Sequence, residues 1–161
     1  MFTSVILGAG KSTRMKANKS KLLFNIAGKP VINHIVSSLK NAKAKHNICV
    51  INNSSAELKK ILEAEKVSFA YQKILDGTAG AVKAALKSKT NSNSKLLILC
   101  GDIPFITSSS IKKLVAKLKN HDAVVGTVEL ESPKGYGRIV RVNNKFTSIV
   151  EENETTPQQR Q

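Results

Sequence analysis

The sequence predicts an α/β fold in which a mostly parallel sheet lies between two layers of helices. Strand-like and helix-like segments alternate four times along the 161 residues. The strand-like segments are continuous apolar runs, which is typical of parallel strands that are buried on both faces. The chain is long enough for one domain with its own core and short for two. We therefore expect a single α/β sandwich.

The first half of the chain contains three strand-like runs, each followed by a helical pattern. Pro30 suits the first position of a helix, because its φ is already fixed near the helical value and an N–H there would have no partner. Ser54 and Glu57 have the spacing of a capping box, which predicts another helix start. The expected strands are 5–7, 48–51 and 67–71, and the expected helices carry Val31, Ile32, Ile35, Val36 and Leu39, then Leu58, Ile61 and Leu62, then segment 79–87.

The second half continues the alternation and then changes to paired strands. The Asn143-Asn144 pair between two apolar runs predicts a β-hairpin, because both residues tolerate the positive φ of a tight hairpin turn. The expected elements are a polar loop at 90–94, a strand at 96–100, a helix with Ile111, Leu114, Val115 and Leu118 on one face, a strand at 123–130, hairpin strands at 137–142 and 145–150, and a polar tail at 152–161.

The formal net charge of +15 raises the question of a nucleic-acid partner. Of the 26 basic residues, 22 are Lys and four are Arg. Sites that recognise bases or bind phosphates through two parallel hydrogen bonds favour Arg, whose planar donors match those acceptors. The lysines are scattered along helical faces without interleaved aromatic residues. We assign the charge mainly to solvated faces, with some attraction for a polyanionic substrate, and expect no nucleic-acid partner.

The sequence also predicts a cytoplasmic protein without a membrane partner. No segment approaches the roughly 18 apolar residues that a membrane helix needs, and the first residues lead directly into a strand-like run without a leader pattern. Cys49 and Cys100 both lie inside apolar strand-like runs. We expect both to be buried thiols, because neither has the spacing of a zinc ligand or a disulfide framework.

A glycine-rich loop follows the first expected strand. Segment 7–15 reads LGAGKSTRM. It lacks the first glycine of a P-loop, because Val5 stands there. It also lacks the third glycine of a dinucleotide fingerprint, which falls on Thr13. The glycines either turn the chain or let backbone N–H groups approach a phosphate, with Arg14 and Lys21 supplying positive charge.

Asp102 is the second candidate for chemistry. It is one of three Asp residues and follows the fourth buried strand through Gly101. In parallel α/β sheets, ligands bind beyond the carboxyl ends of the strands. A carboxylate there either binds a cation or caps the next turn, and we favour the cation.

Taken together, the motifs resemble the GT-A-type nucleotidyltransferases, and among them the uridylyltransferase domains of the bifunctional bacterial enzymes that make UDP-N-acetylglucosamine. The resemblance covers nearly the whole chain, and the motifs occur in the family's order. They are segments 7–15, 20–23 and 27–30, Gln72 with Gly77-Thr78, and segments 101–104, 135–139, 149–152 and 158–161.

The resemblance implies a Rossmann-like three-layer α/β/α sandwich that transfers UMP from UTP to N-acetylglucosamine-1-phosphate. The products would be pyrophosphate and UDP-N-acetylglucosamine, a precursor of peptidoglycan and lipopolysaccharide. The implied cofactor is Mg²⁺. The implied residues are Arg14 and Lys21 for catalysis, Leu7, Ala9, Gly10, Lys11, Gln72, Gly77 and Thr78 for the nucleotide, Gly137 and Glu151 for the sugar, and Asp102 for the metal.

The sequence departs from the family pattern in places. Ser12 replaces a glycine, Ser20 a proline and Cys100 a tyrosine, and no His precedes Ala81, which leaves other nucleotides and sugars open. We expect residues 1–161 to be the N-terminal two-thirds of a nucleotidyltransferase domain, with an incomplete sheet and no β-helix acetyltransferase domain. A non-catalytic, nucleotide-binding remnant is the alternative. The sequence leaves the oligomeric state open.

Overall fold

The computed structural model describes residues 1–10, 19–52, 56–88 and 95–160. By their internal contacts the residues form two compact units, Met1–Val124 and Val125–Gln161. The described elements of the first unit are β1 (Phe2–Leu7), β2 (Asn25–Ile26), β3 (Lys29–Pro30), α1 (Val31–Asn41), β4 (His46–Ile51), α2 (Ala56–Ala64), β5 (Ser68–Tyr71), α3 (Thr78–Lys87), β6 (Lys95–Cys100) and α4 (Ser108–Lys117).

A parallel sheet forms the centre of the first unit. Among the described residues it has four strands in the order β5-β4-β1-β6. Central β1 pairs in parallel with β4 on one side and with β6 on the other. Strands β2 and β3 form a separate small antiparallel ladder. The expected α/β fold with a mostly parallel sheet is confirmed.

The side chains of the sheet alternate between two apolar cores, because successive residues of a strand point to opposite faces. On one face, Ile6, Cys49 and Leu99 pack with the buried residues of α1, α2 and α4. On the other face, residues such as Val5 pack with α3. Helices therefore cover both faces, as expected of a three-layer sandwich.

Helix α1 presents the predicted apolar face. Val31, Ile32, Ile35, Val36 and Leu39 are its buried residues. Pro30 is the N-cap rather than the first helical residue, since its ψ of 143° is extended. The predicted capping residue Ser54 lies outside the described residues, as does the predicted loop at 90–94.

The second unit contains the predicted hairpin. Strands β7 (Arg138–Val142) and β8 (Lys145–Val150) pair antiparallel. Asn143 and Asn144 have φ values of 49° and 61°, the left-handed pair that a tight two-residue hairpin turn requires. The expected polar tail forms two short 3₁₀ turns, Glu152–Glu154 and Pro157–Arg160.

The prediction of a strand at 123–130 is wrong. No residue of this segment has strand structure, and Val125 and Val128 are 52% and 71% exposed. A strand needs a neighbour to bond its N–H and C=O groups, and β-propensity reports only how well a side chain fits such a surface. None of the described strands pairs with this segment. Its apolar residues alone therefore do not make it a strand.

The α-helices of the described ranges have nine to eleven residues each. None of them is long and apolar enough to cross a membrane.

Candidate functional site

A cavity of about 480 Å³ opens at the carboxyl ends of the central strands. From β1 the chain continues to β4 and β5 on one side, and then returns to β6 on the other side. The connections therefore diverge between β1 and β6, which is where ligands bind in open α/β sheets. The lining residues are Leu7, Ala9, Gly10, Lys21, Gln72, Leu75, Gly77, Thr78, Ala81, Cys100 and Asp102.

The end of β1 is held against the sheet by close backbone packing. The Gly8 amide donates to the Val50 carbonyl at 2.8 Å. A Cβ on Gly8 would lie 2.9 Å from that same carbonyl oxygen, so only glycine fits without movement. The Asn52 side-chain amide donates to the Ala9 carbonyl at 3.1 Å. These contacts fix the backbone of residues 7–10 at the cavity wall.

A 3₁₀ turn over Lys21–Leu23 docks on the ends of β1 and β6. Its Leu22 is fully buried and lies where a Cβ on either Gly8 or Gly101 would be, at 2.8 Å in each case. The Gly101 amide donates to the Leu7 carbonyl at 3.0 Å. The two glycines thus make room for Leu22, and the anchored turn presents Lys21 to the cavity.

Lys21 and Asp102 meet at this wall. The Lys21 Nζ donates to Asp102 Oδ2 at 2.6 Å, and the two side chains are 32% and 50% exposed. An ion pair this exposed contributes at most about 1 kcal/mol to stability. It leaves a cation and a carboxylate side by side where a ligand can reach both. The predicted residues Lys11 and Arg14 lie outside the described residues.

The opposite wall is the loop between β5 and α3. The backbone amide of Gln72 donates to the Ile51 carbonyl at 3.0 Å, which extends the sheet by one residue. Its side-chain Nε2 donates to Asp76 Oδ1 at 2.9 Å and to the Gly77 carbonyl at 3.0 Å. Gly77 has a φ of +91°, which favours glycine, and it is the N-cap of α3. Thr78 then begins the helix.

Sequence reasoning missed three lining residues, Leu75, Ala81 and Cys100. Cys100 was expected to be buried, and that prediction is wrong because the residue is exposed. Along β6, Leu97 and Leu99 are buried while Cys100 faces the other side of the sheet. Helix α3 packs mainly on β1, β4 and β5, and so leaves that side of β6 open. An apolar run does not reveal which strand lacks a covering helix.

The two thiols differ accordingly. Burial raises the pKa of the Cys49 thiol to about 12. Partial burial also raises the pKa of the Cys100 thiol, and the nearby Asp102 carboxylate adds to this while Lys21 opposes it. Both thiols are therefore protonated at neutral pH. Neither is in a disulfide.

The donor set at Asp102 fits one mode of Mg²⁺ binding. Within the described ranges, no three His, Cys, Asp or Glu side chains form a group that could hold a metal ion. Mg²⁺ is often held by one or two carboxylates with substrate phosphates and water completing its octahedron. One half-exposed carboxylate at a cavity wall suits an ion that arrives with a phosphorylated ligand.

The predicted sugar-binding residues lie together in the second unit. Gly137 directly precedes β7 and Glu151 directly follows β8. A Cβ on Gly137 would lie 3.9 Å from Glu151 Oε2. Arg138 stabilises this end of the hairpin, since its Nη1 donates to the Pro133 carbonyl at 3.0 Å and pairs with Glu152 at 2.8 Å.

Comparison with known proteins identifies the family. A family model described as the MobA-like NTP transferase domain matches residues 4–142. The chain belongs to this family. Membership confirms the nucleotidyltransferase resemblance that the motifs predict.

Two curated relatives of this MobA-like domain carry the name bifunctional protein GlmU. The protein from Caldicellulosiruptor saccharolyticus is 38% identical over 162 residues, which cover 98% of this chain and 35% of that protein. The protein from Buchnera aphidicola subsp. Schizaphis graminum is 36% identical over 148 residues, covering 92% and 32%. The chain thus spans about a third of the length of these relatives.

A solved structure shares the fold. HddC from Yersinia pseudotuberculosis is 25% identical, with a TM-score of 0.78 over 94% of this chain and 70% of that one. A second structure of HddC is described as complexed with GMP-PN. The similarity places this chain among nucleotidyltransferases of the GT-A-like type.

Proposed function

We propose that this chain transfers UMP from UTP to N-acetylglucosamine-1-phosphate, producing UDP-N-acetylglucosamine and pyrophosphate. The observation that carries the proposal is the cavity at the ends of β1, β5 and β6. Every nucleotide, catalytic and metal residue that the motifs suggest, and that the structure describes, lines it. These residues are Leu7, Ala9, Gly10, Lys21, Gln72, Gly77, Thr78 and Asp102. The similarity to proteins named GlmU supports the choice of substrates.

The cavity suits an extended nucleotide. Gln72 lies beyond β5 and Asp102 beyond β6, three strand positions apart in the sheet. At about 4.8 Å per strand, the two walls are separated by roughly 14 Å. One wall offers amide and backbone groups, which suit a base. The other offers Lys21 and Asp102, which suit phosphates and their counter-ion.

The proposed reaction is an in-line displacement at phosphorus. A phosphate oxygen of the sugar-1-phosphate forms a bond to the α-phosphorus of UTP, and the bond from that phosphorus to the bridging oxygen breaks. The electron pair leaves with pyrophosphate. Such chemistry needs positioning and charge neutralisation more than a proton shuttle.

The proposed roles follow from where charge develops. Lys21 turns from Asp102 to the α-phosphate and stabilises its charge. Arg14 binds the leaving pyrophosphate, with help from Lys11. Asp102 holds Mg²⁺, which neutralises charge on the phosphates when bound. Backbone groups of residues 7–10 contact the nucleotide.

In the second unit, Gly137 and Glu151 form the proposed sugar contacts. The backbone N–H of Gly137 donates to the sugar, and the Glu151 carboxylate accepts from its hydroxyls. We also propose that residues 1–161 correspond to the N-terminal two-thirds of a nucleotidyltransferase domain. The first quantity to measure is therefore the catalytic rate of residues 1–161 by themselves.

The test is pyrophosphate release from UTP, N-acetylglucosamine-1-phosphate and Mg²⁺. We expect release that requires both substrates and falls to background in Asp102→Ala, because the ion that accompanies the phosphates loses its protein ligand. Lys113→Ala, on the exposed face of α4, is the control and should keep the wild-type rate. Equal rates for Asp102→Ala and wild type would contradict the proposal.

Other outcomes separate the alternatives. Faster release from GTP, CTP or dTTP than from UTP would assign the chain to a related nucleotidyltransferase, and the GMP-PN complex of HddC makes GTP the first to try. Binding of UTP without release from any acceptor would indicate a nucleotide-binding remnant.

A further inference from the structure

The side chain of Gln72 is held by a carboxylate that the motifs do not include. Gln72 is 7% exposed, and its Nε2 donates to Asp76 Oδ1 and to the Gly77 carbonyl. Both partners lie in the loop before α3. Two hydrogen bonds donated by the same nitrogen therefore fix the side-chain amide of Gln72 at the cavity wall.

The chemistry of the two partners determines which way the amide faces. A carboxylate and a backbone carbonyl accept hydrogen bonds and do not donate them, so only the NH₂ group of Gln72 can face both. The usual ambiguity between amide nitrogen and oxygen does not arise here. Both amide hydrogens are used within the protein. Gln72 can therefore address a ligand only through Oε1, as an acceptor.

The absence of a side chain at Gly80 in helix α3 makes room for the Asp76 carboxylate. A Cβ on Gly80 would lie 1.6 Å from Asp76 Oδ1 and 2.3 Å from its Cγ. Any side chain at position 80 would therefore push the carboxylate away from Gln72. Asp76 also lies before the first turn of α3, where a negative charge interacts favourably with the helix dipole. A test must separate that structural effect from an effect on Gln72.

We propose that Asp76 is a positioning residue that holds Gln72 Oε1 ready to accept a hydrogen bond from the base of the nucleotide. The N3–H of uracil is such a donor, whereas N3 of cytosine is an acceptor. Asp76 therefore contributes to nucleotide selection through Gln72 without contacting the nucleotide. This inference rests on the proposed function, because it assumes that UTP occupies the cavity.

The experiment compares UTP with inorganic tripolyphosphate, which has the phosphates but no base, by calorimetric titration with Mg²⁺. In Asp76→Ala we expect the Kd for UTP to rise about three- to tenfold, as for the loss of one oriented hydrogen bond. The Kd for tripolyphosphate should stay unchanged. Asp76→Asn keeps an acceptor oxygen without the charge, and it should restore UTP binding to near the wild-type value.

Gly80→Ala tests the same contact from the helix. Ala has the higher helix propensity, so α3 should persist while the new methyl group displaces Asp76. We expect the same loss of UTP affinity as in Asp76→Ala, and no further loss in the double variant.

Three results would overturn the inference. One is an unchanged Kd for UTP in both Asp76→Ala and Gly80→Ala. Another is an equal change for UTP and tripolyphosphate, and the third is a failure of Asp76→Asn to restore UTP binding. In each of these cases the wild type still binds UTP, so the result does not bear on the proposed function, which pyrophosphate release tests separately. If the wild type binds no UTP, the proposed function fails and the inference fails with it.

Discussion

At the residue scale, Cys49 and Cys100 lie in similar apolar runs and have different surroundings. Cys49 packs into the core between the sheet and the helices on one face. Cys100 lines the cavity next to Gly101-Asp102. Both thiols have raised pKa values, but only Cys100 can meet a reagent from solution.

Thiol labelling should therefore report on the cavity. We expect one thiol of the native protein, Cys100, to react with an aromatic disulfide reagent. Its rate should rise about tenfold per pH unit below its raised pKa, because the thiolate is the nucleophile. UTP and Mg²⁺ at ten times the Kd should slow labelling roughly tenfold by mass action.

Cys100→Ser is the control, and it should remove the fast phase and leave Cys49 to react only on unfolding. A fast phase that survives this substitution, or that saturating UTP leaves unchanged, would contradict the placement of Cys100 in the nucleotide site.

At the scale of elements, the turn over Lys21–Leu23 connects packing to the site. Leu22 lies where side chains on Gly8 and Gly101 would be, and the same turn carries Lys21. The two strand ends thus need glycine for a steric reason. The glycine at position 8 is therefore explained by packing alone, without a role in phosphate binding.

We expect Gly101→Ala to destabilise the fold by about 1–3 kcal/mol, as overpacking does. The new Cβ would lie 2.7 Å from the Leu7 carbonyl oxygen, a backbone atom that cannot turn aside. The matched control is Gly10→Ala, since among the described residues no atom outside its chain neighbours lies within 4 Å of a Cβ there. Urea unfolding measures both, and equal midpoints for the two variants would contradict this account of Leu22.

Elements with their own local pattern could be predicted from the sequence. The apolar face of α1 and the Asn143-Asn144 turn are examples, because each depends on residues close in the chain. The predicted strand at 123–130 and the predicted burial of Cys100 were wrong, because each depends on what a distant part of the chain places beside it. Pairing and coverage are properties of the fold, not of a segment.

At the scale of the whole molecule, the motifs predicted which residues gather but not how they are held. The residues of the cavity wall come from three strand ends that parallel topology brings to one edge. The hydrogen bond from Gln72 to Asp76 and the packing of Leu22 against Gly8 and Gly101 depend on side-chain geometry that no motif records. The roles of the site residues, Arg14 and Lys11 among them, remain predictions from the sequence.

The net charge of +15 also belongs to this scale. Such a field attracts a triphosphate from solution but does not select a site, and it weakens with added salt. Binding through the cavity must therefore depend on individual lysines and not only on the number of lysines.

Calorimetric titration of the protein with UTP and Mg²⁺ decides whether this cavity binds the nucleotide. Because a hydrogen bond to a charged group contributes about 1.5–3 kcal/mol, we expect Lys21→Ala to weaken binding roughly 10- to 150-fold. Lys113→Ala removes the same charge from α4 and should bind as the wild type does. Equal affinities for Lys21→Ala and wild type, or no binding of UTP by the wild type at millimolar concentration, would contradict the assignment of this cavity.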